Sequence, residues 1–148
     1  MITEQQRASR VPDLHEVVKA IESADSEDQI VGIIKEIGSK HTWFTDYLRC
    51  LFDDKIEFLL PEGRPPFTPN EEGAQPNSWK KLHLQLTYFV KGLKGDQVSP
   101  IKRESMFINL LESIHPEDAL LVADMADKRC PSTRLTKEVV QKALPNLL

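Results

Sequence analysis

Apolar side chains recur at intervals of three and four residues through most of this chain, and no segment alternates convincingly with a period of two. Intervals of three and four put side chains on one face of an α-helix, whereas a half-buried strand requires alternation. The pattern therefore predicts an all-α fold. Leu14, Val17, Val18 and Ile21 mark a first helix, broken by Ser23 to Asp25. Ser26, with Gln29 three residues later, reads as a capping box for a second helix, in which Ile30, Ile33, Ile34 and Ile37 share a face and Gly38 supplies the stop. Thr42 is placed to cap a third helix carrying Phe44, Tyr47, Leu48, Leu51 and Phe52 and ending near Asp53 and Asp54.

Between Pro61 and Pro76 the periodicity stops. Prolines at 61, 65, 66, 69 and 76 remove backbone donors and block helix, which predicts a long loop over 61–77, preceded by an extended piece at Ile56 to Leu60. A loop of this length reads as a mobile connector or a binding loop. Ser78 opens the next helix, whose buried side is Leu82, Leu86, Phe89, Val90 and Leu93. On its other side Lys80, His83, Thr87, Lys91 and Lys94 form a strip that either tracks phosphates or is simply solvated. Ser99-Pro100 starts a helix with Phe107, Leu110, Leu111 and Ile114. Pro116 opens another, with Glu117 and Asp118 near its positive end, and its apolar run from Ala119 to Ala126 makes it central to the second half. Thr136 to Leu144 forms the last helix, stopped by Pro145. The sum is about seven helices in one domain over 13–148, after a polar lead over 1–12.

Composition narrows the function classes. The 148 residues are 40% hydrophobic and 28% charged, and no apolar run approaches the roughly 20 residues that span a bilayer, so a soluble, cytoplasmic protein without membrane contact is expected. Cys50 and Cys130 fall in no metal-binding pattern and are expected to be reduced and structural. His15, His41, His83 and His115 are scattered one to a segment. Phosphate-binding glycine loops, nucleophile elbows and zinc motifs are absent, so neither a cofactor nor an enzyme is expected. The net charge of −4 argues against a protein that coats nucleic acid. Its distribution is uneven: residues 1–77 carry 8 basic and 15 acidic side chains, net −7, and residues 78–148 carry 11 and 8, net +3.

The basic half ends in MADKRCPSTRLTKEVVQKALPNLL, Met125 to Leu148. With Lys128 and Arg129 ending one helix and Ser132, Thr133, Arg134 and Thr136 leading into another, free N–H groups, hydroxyls and a guanidinium converge on a helix start, which suits an anion. Alternatively, Thr136 merely caps its helix and Arg134 is solvated.

Three stretches carry a resemblance: TDYLRCLFDDKIEFLLPEG, WKKLHLQLTYFVKGLKGD and the closing MADKRCPSTRLTKEVVQKALPNLL. From about Ile30 to Leu148 the chain resembles the N-terminal all-helical DNA-binding domain of ATP-dependent DNA ligases of T4-like phages. The resemblance implies a phage protein whose closing loop and following helix start contact the DNA backbone across the minor groove. It singles out Ser132, Thr133, Arg134 and Thr136, with Lys128, Arg129 and Lys137 as neighbours. The ligase K-x-D-G nucleophile motif has no counterpart, the nearest text being Lys94-Gly95-Asp96-Gln97, and Pro131 stands where the ligase loop is rich in glycine. The expectation is a non-catalytic accessory that binds double-stranded DNA through Lys80, Lys91, Lys94, Lys128, Arg129, Ser132, Thr133, Arg134, Thr136 and Lys137. The alternative is an adaptor or inhibitor that docks its acidic N-terminal half on a replication or transcription protein of phage or host.

Overall fold

A computed structural model describes residues 10–71 and 75–148, and the described residues form seven α-helices, two 3-10 segments and one isolated β-bridge. Most of the polar lead over 1–12 and part of the proline-rich loop, 72–74, lie outside the described residues.

Helix α1 (Leu14–Ser23) starts where the Glu16 carboxylate reaches back to accept the Asp13 N–H at 3.0 Å. Its apolar stripe, Leu14, Val17, Val18 and Ile21, is buried. Helix α2 (Glu27–Lys40) has Ser26 as its cap, the hydroxyl accepting the Gln29 N–H at 3.3 Å. The Gln29 side chain accepts the N–H of Asp25 rather than that of Ser26, so the capping box closes one residue earlier than the sequence predicts. Gly38 does not stop α2, which runs two residues further, to Lys40. Glycine there gives room instead to the C-terminal tail: a Cβ at 38 would lie 2.6 Å from Leu144 Cδ1, and the leucine would have to turn aside.

Helix α3 (Thr42–Phe52) follows after a single residue, with His41 at the cap position, and Thr42 is its first residue instead of its cap. Trp43, Phe44, Thr45, Tyr47, Leu48, Cys50 and Leu51 are all buried, which leaves a narrow outward face at Asp46 and Arg49. Helix α3 packs on α2, on α6 and on the first 3-10 segment and so forms the middle of the core. Buried Cys50 is free, and burial pushes its thiol up to about 12.

The region after α3 departs most from the sequence-based expectation. The helix opened by Ser78 is a single turn, α4 (Trp79–Leu82), which passes into a 3-10 helix over His83–Tyr88. Phe89 closes that 3-10 helix, still in the right-handed helical region, and Val90 then bridges antiparallel to Phe58, with the Leu59 N–H donating to the Phe89 carbonyl at 2.8 Å and the Lys91 N–H to the Glu57 carbonyl at 2.9 Å. The extended piece at Ile56 to Leu60 is thus present, and it draws the following helix out of shape. Thr87 to Val90 is a run of β-branched and aromatic residues whose restricted rotamers disfavour α-helix. Gly92, at φ 84°, then turns the chain into a second 3-10 segment, Lys94–Gln97.

The proline-rich loop is fastened at several points. The Gly63 N–H donates to Asp127 Oδ2, Arg64 holds both Asp124 oxygens at 2.8 Å, and the Thr68 N–H donates to the Glu112 carboxylate. Helix α5 (Pro100–Ser113), capped by the Ser99 hydroxyl, and α6 (Pro116–Ala126), capped by His115 Nδ1, pack on each other. Helix α7 (Lys137–Ala143) lies on α2, and Leu144, Leu147 and Leu148 pack against the core.

Arg103 secures the irregular middle. This buried residue on α5 donates to the carbonyls of Leu59, Gly95 and Val98 at 3.0, 2.7 and 2.7 Å. Gly95 lets the second 3-10 segment lie against the backbone of Tyr88 and Val90, since a Cβ there would lie 2.8 Å from the Val90 carbonyl oxygen. Buried carbonyls left without donors each cost about 1–3 kcal/mol. Arg103→Ala should therefore lower stability by about 3 kcal/mol in urea unfolding, and Arg103→Lys should recover part of it, since one ammonium cannot span the three acceptors as a planar fork does. The Tyr47 hydroxyl is buried without a partner among the described residues. Tyr47→Phe should leave stability within about 1 kcal/mol of the parent or raise it, because no hydrogen bond is lost.

Candidate nucleic-acid interface

The loop 127–136 joins α6 to α7, and both of its ends are fixed by backbone geometry. Helix α6 ends in a Schellman arrangement: the Lys128 N–H donates to the Met125 carbonyl and the Arg129 N–H to the Asp124 carbonyl, both at 2.9 Å. Lys128 takes the left-handed position at φ 60°, where glycine is the usual residue. At the far end Thr136 Oγ1 accepts the Val139 N–H at 3.2 Å and caps α7. Between them the Ser132 hydroxyl accepts the Arg134 N–H, and the Cys130 thiol donates to the Leu135 carbonyl at 3.1 Å.

Seven of the predicted contact residues share this loop and the helix start beyond it, yet several already have work inside the molecule. Lys128 Nζ donates to the Asp53 carbonyl at 3.0 Å beside the Phe58 ring, and burial pulls its pKa below the ordinary lysine value. Arg134 donates from Nη1 to the Glu22 carbonyl at 2.7 Å, closing the end of α1. Thr136 is spent on its cap, and Lys137 faces Asp54 at 3.9 Å. Arg129 and Thr133 are exposed, with no side-chain partner among the described residues.

The remaining three do not form a strip. Lys80 lies on α4; its side chain is 27% exposed, and its ammonium is held by the Val11 carbonyl at 2.8 Å and by Asp13 at 3.0 Å. Lys91 follows the bridge and faces Glu57 at 3.7 Å. Lys94 begins the second 3-10 segment, over the ring of Tyr88. His83, expected among them, is buried, its Nδ1 2.7 Å from Asp46 Oδ2. The helical spacing is lost because a 3-10 turn holds three residues and the chain is extended at Val90. The basic half also gives up charge to the acidic half: Lys80–Asp13, Lys91–Glu57, Lys137–Asp54 and Lys142–Glu27 all cross between them.

A second cluster escaped sequence reasoning. Asp118, buried on the first turn of α6, accepts both the backbone N–H of His15 at 2.8 Å and its Nδ1–H at 2.7 Å. Burial raises the Asp118 carboxyl above its ordinary value despite the opposing His15 contacts. His15 stacks on His115 at 4.2 Å, and the ligand atoms of His15, His115 and Glu117 lie within 4.8 Å of one another. The arrangement suits a structural joint better than a metal. An ion bound by two imidazoles lies in both ring planes, and these rings are stacked 18° from parallel. His115 Nδ1 accepts the Glu117 N–H, so the neutral ring keeps its proton on the nitrogen left for a metal, and Lys19 already holds the Glu117 carboxylate at 2.9 Å.

The Lys80–Asp13 contact yields a pH test. Burial works to raise the Asp13 carboxyl, but the hydrogen bond and charge of Lys80, with His15 and Arg10, outweigh it and hold the pKa below the ordinary value. A depressed carboxyl pKa contributes stability above its unfolded value of about 3.9, and that contribution is lost as pH falls through the folded value. Lys80→Ala should therefore cost about 0.5–1 kcal/mol at pH 7, and chemical unfolding at a series of pH values should show the difference shrinking below pH ~4.

No curated protein matches the chain, and no solved structure does. A family model matches residues 17–132, from α1 into the closing loop, and on that span the chain belongs to DUF6433, a family of unknown function.

Proposed function

We propose that this chain is a non-catalytic, phage-encoded accessory protein that binds duplex DNA along its backbone, in replication, repair or transcription. The contact surface of this reading is the loop 127–136, without Lys80, Lys91 and Lys94. The observation that carries it is the pair Arg129 and Thr133, exposed and unpartnered among the described residues on a loop held at both ends. A guanidinium and a hydroxyl on a fixed loop suit phosphate and sugar contacts, which give affinity with little sequence preference. The resemblance of Met125 to Leu148 to the ligase DNA-binding domain points to the same residues.

Fluorescence anisotropy with a labelled duplex, intact and nicked, over a salt series is the test. Binding should weaken steeply with salt. Arg129→Ala should reduce the slope of log K against log salt by about 0.9, one phosphate contact, while Lys80→Ala leaves it unchanged. Absence of binding at low salt would remove the reading.

One observation favours the adaptor reading instead. Glu22, Asp25 and Asp28 stand exposed together at the corner between α1 and α2, beside the Arg134 contact, where they repel phosphate and attract a basic protein surface. If Glu22→Lys with Asp28→Lys creates or strengthens duplex binding, the corner opposes DNA in the parent molecule and the adaptor reading gains.

A further inference from the structure

The outward face of α3 carries a single cation between two apolar grooves. Arg49 lines both. On one side α3 and the first 3-10 segment enclose about 300 Å³, lined by Ile56, Leu84, Val90 and Leu93. On the other, α2, α3 and the C-terminal tail enclose about 430 Å³, lined by Gly38, Ala143, Leu144 and Leu147. Leu84 is 73% and Leu93 53% exposed, although neighbouring Leu86 and Phe89 are buried. Leucines that leave the core in this way beside an arginine have the composition of an interface centre, where apolar and guanidinium groups are enriched.

The charges lining the two grooves decide what fits them. They are Lys35, Arg49 and Asp46. Asp46 gives one oxygen to His83 at 2.7 Å and pairs loosely through the other with Arg49 at 3.8 Å, beyond hydrogen-bond distance, so the two cations outnumber the one carboxylate and the guanidinium N–H groups have no hydrogen-bond partner among the described residues. Lys35 is exposed, with no acidic partner among the described residues. A molecule of net charge −4 therefore presents a locally cationic, largely hydrocarbon surface here. A phosphate backbone leaves such leucines uncovered. A carboxylate flanked by apolar side chains satisfies both features.

We propose that this face docks an amphipathic helix of a partner protein that bears one aspartate or glutamate between apolar residues. The carboxylate pairs with Arg49 as a planar fork, and apolar side chains one turn to either side, about 5 Å along the axis, enter the two grooves. The proposal is independent of DNA binding, since neither groove includes a residue of the loop 127–136.

Helical peptides selected from a randomised display library against the intact chain test it. Selected sequences should be enriched in Asp or Glu flanked by Leu, Ile or Phe. Arg49→Ala and the double variant Leu84→Ser, Leu93→Ser should each weaken a selected peptide about tenfold, with circular dichroism confirming the fold of both variants. Arg129→Ala should leave peptide binding unchanged, and Arg49→Ala should leave duplex binding unchanged, so the two surfaces fail or succeed separately. The proposal is overturned by failure to select any peptide, by selected peptides without acidic enrichment, or by affinity indifferent to Arg49→Ala. It is also overturned if the chain dimerises and Arg49→Ala dissolves the dimer, because the face then belongs to a second copy.

Discussion

Between the end of α3 and the start of α5 the chain makes little regular structure, and one buried guanidinium, that of Arg103, binds backbone carbonyls there that no helix or sheet serves. Backbone carbonyls removed from water need donors, and helices or sheets normally provide them. Here Arg103 provides them for Leu59 and, from the second 3-10 segment and its end, for Gly95 and Val98. Arginine suits the task because its several donors point in fixed directions and it keeps its charge when buried. The contact ties α5 to the extended piece that carries the Phe58 bridge and to the second 3-10 segment.

Charge is organised by the same economy. Sequence halves of −7 and +3 suggest one acidic and one basic face. Folding instead brings the signs together, since α7 lies on α2 and α6 on α1. Each such surface pair contributes about 0–1 kcal/mol, so the pairs do little for stability. Their larger effect is to even out the field of the molecule. What remains distinctive is local: Arg129 at the closing loop, Arg49 between its grooves, and the acids at the corner between α1 and α2. Asp118 differs in being buried: its carboxylate, on the first turn of α6, accepts the His15 N–H on the first turn of α1 and ties the two helix starts together.

The apolar stripes made the helices legible, because burial on one face and helical spacing are the same constraint viewed twice. The hydroxyl caps at Ser26, Ser99 and Thr136 were legible too, through their place before each stripe. The failures have two causes. Past Ser78 a tertiary contact, the pairing of Val90 with Phe58, outweighs helical periodicity, and a pattern read along one segment cannot register a partner 32 residues earlier. The buried polar residues failed for a subtler reason. Arg103 lies four and seven positions before Phe107 and Leu110, and Asp118 four and seven before Val122 and Met125, so both are in phase with their stripes. A charge in phase with an apolar stripe is the available signal that a polar group is buried. Of the candidate site, the closing loop was legible as a loop with a capped exit; the internal use of Lys128 and Arg134 was not, because their acceptors are carbonyls, which every residue carries.

The chain has two tryptophans, both buried, and the indole N–H of Trp79 donates to the carbonyl of Trp43 at 2.9 Å. They sit at one joint, where α4 meets α3, with the Trp79 ring set edge-on to His83. Intrinsic emission from this protein is therefore a local gauge. It reports the joint between α3 and α4, and a spectral shift on adding a ligand reads as a change around that joint.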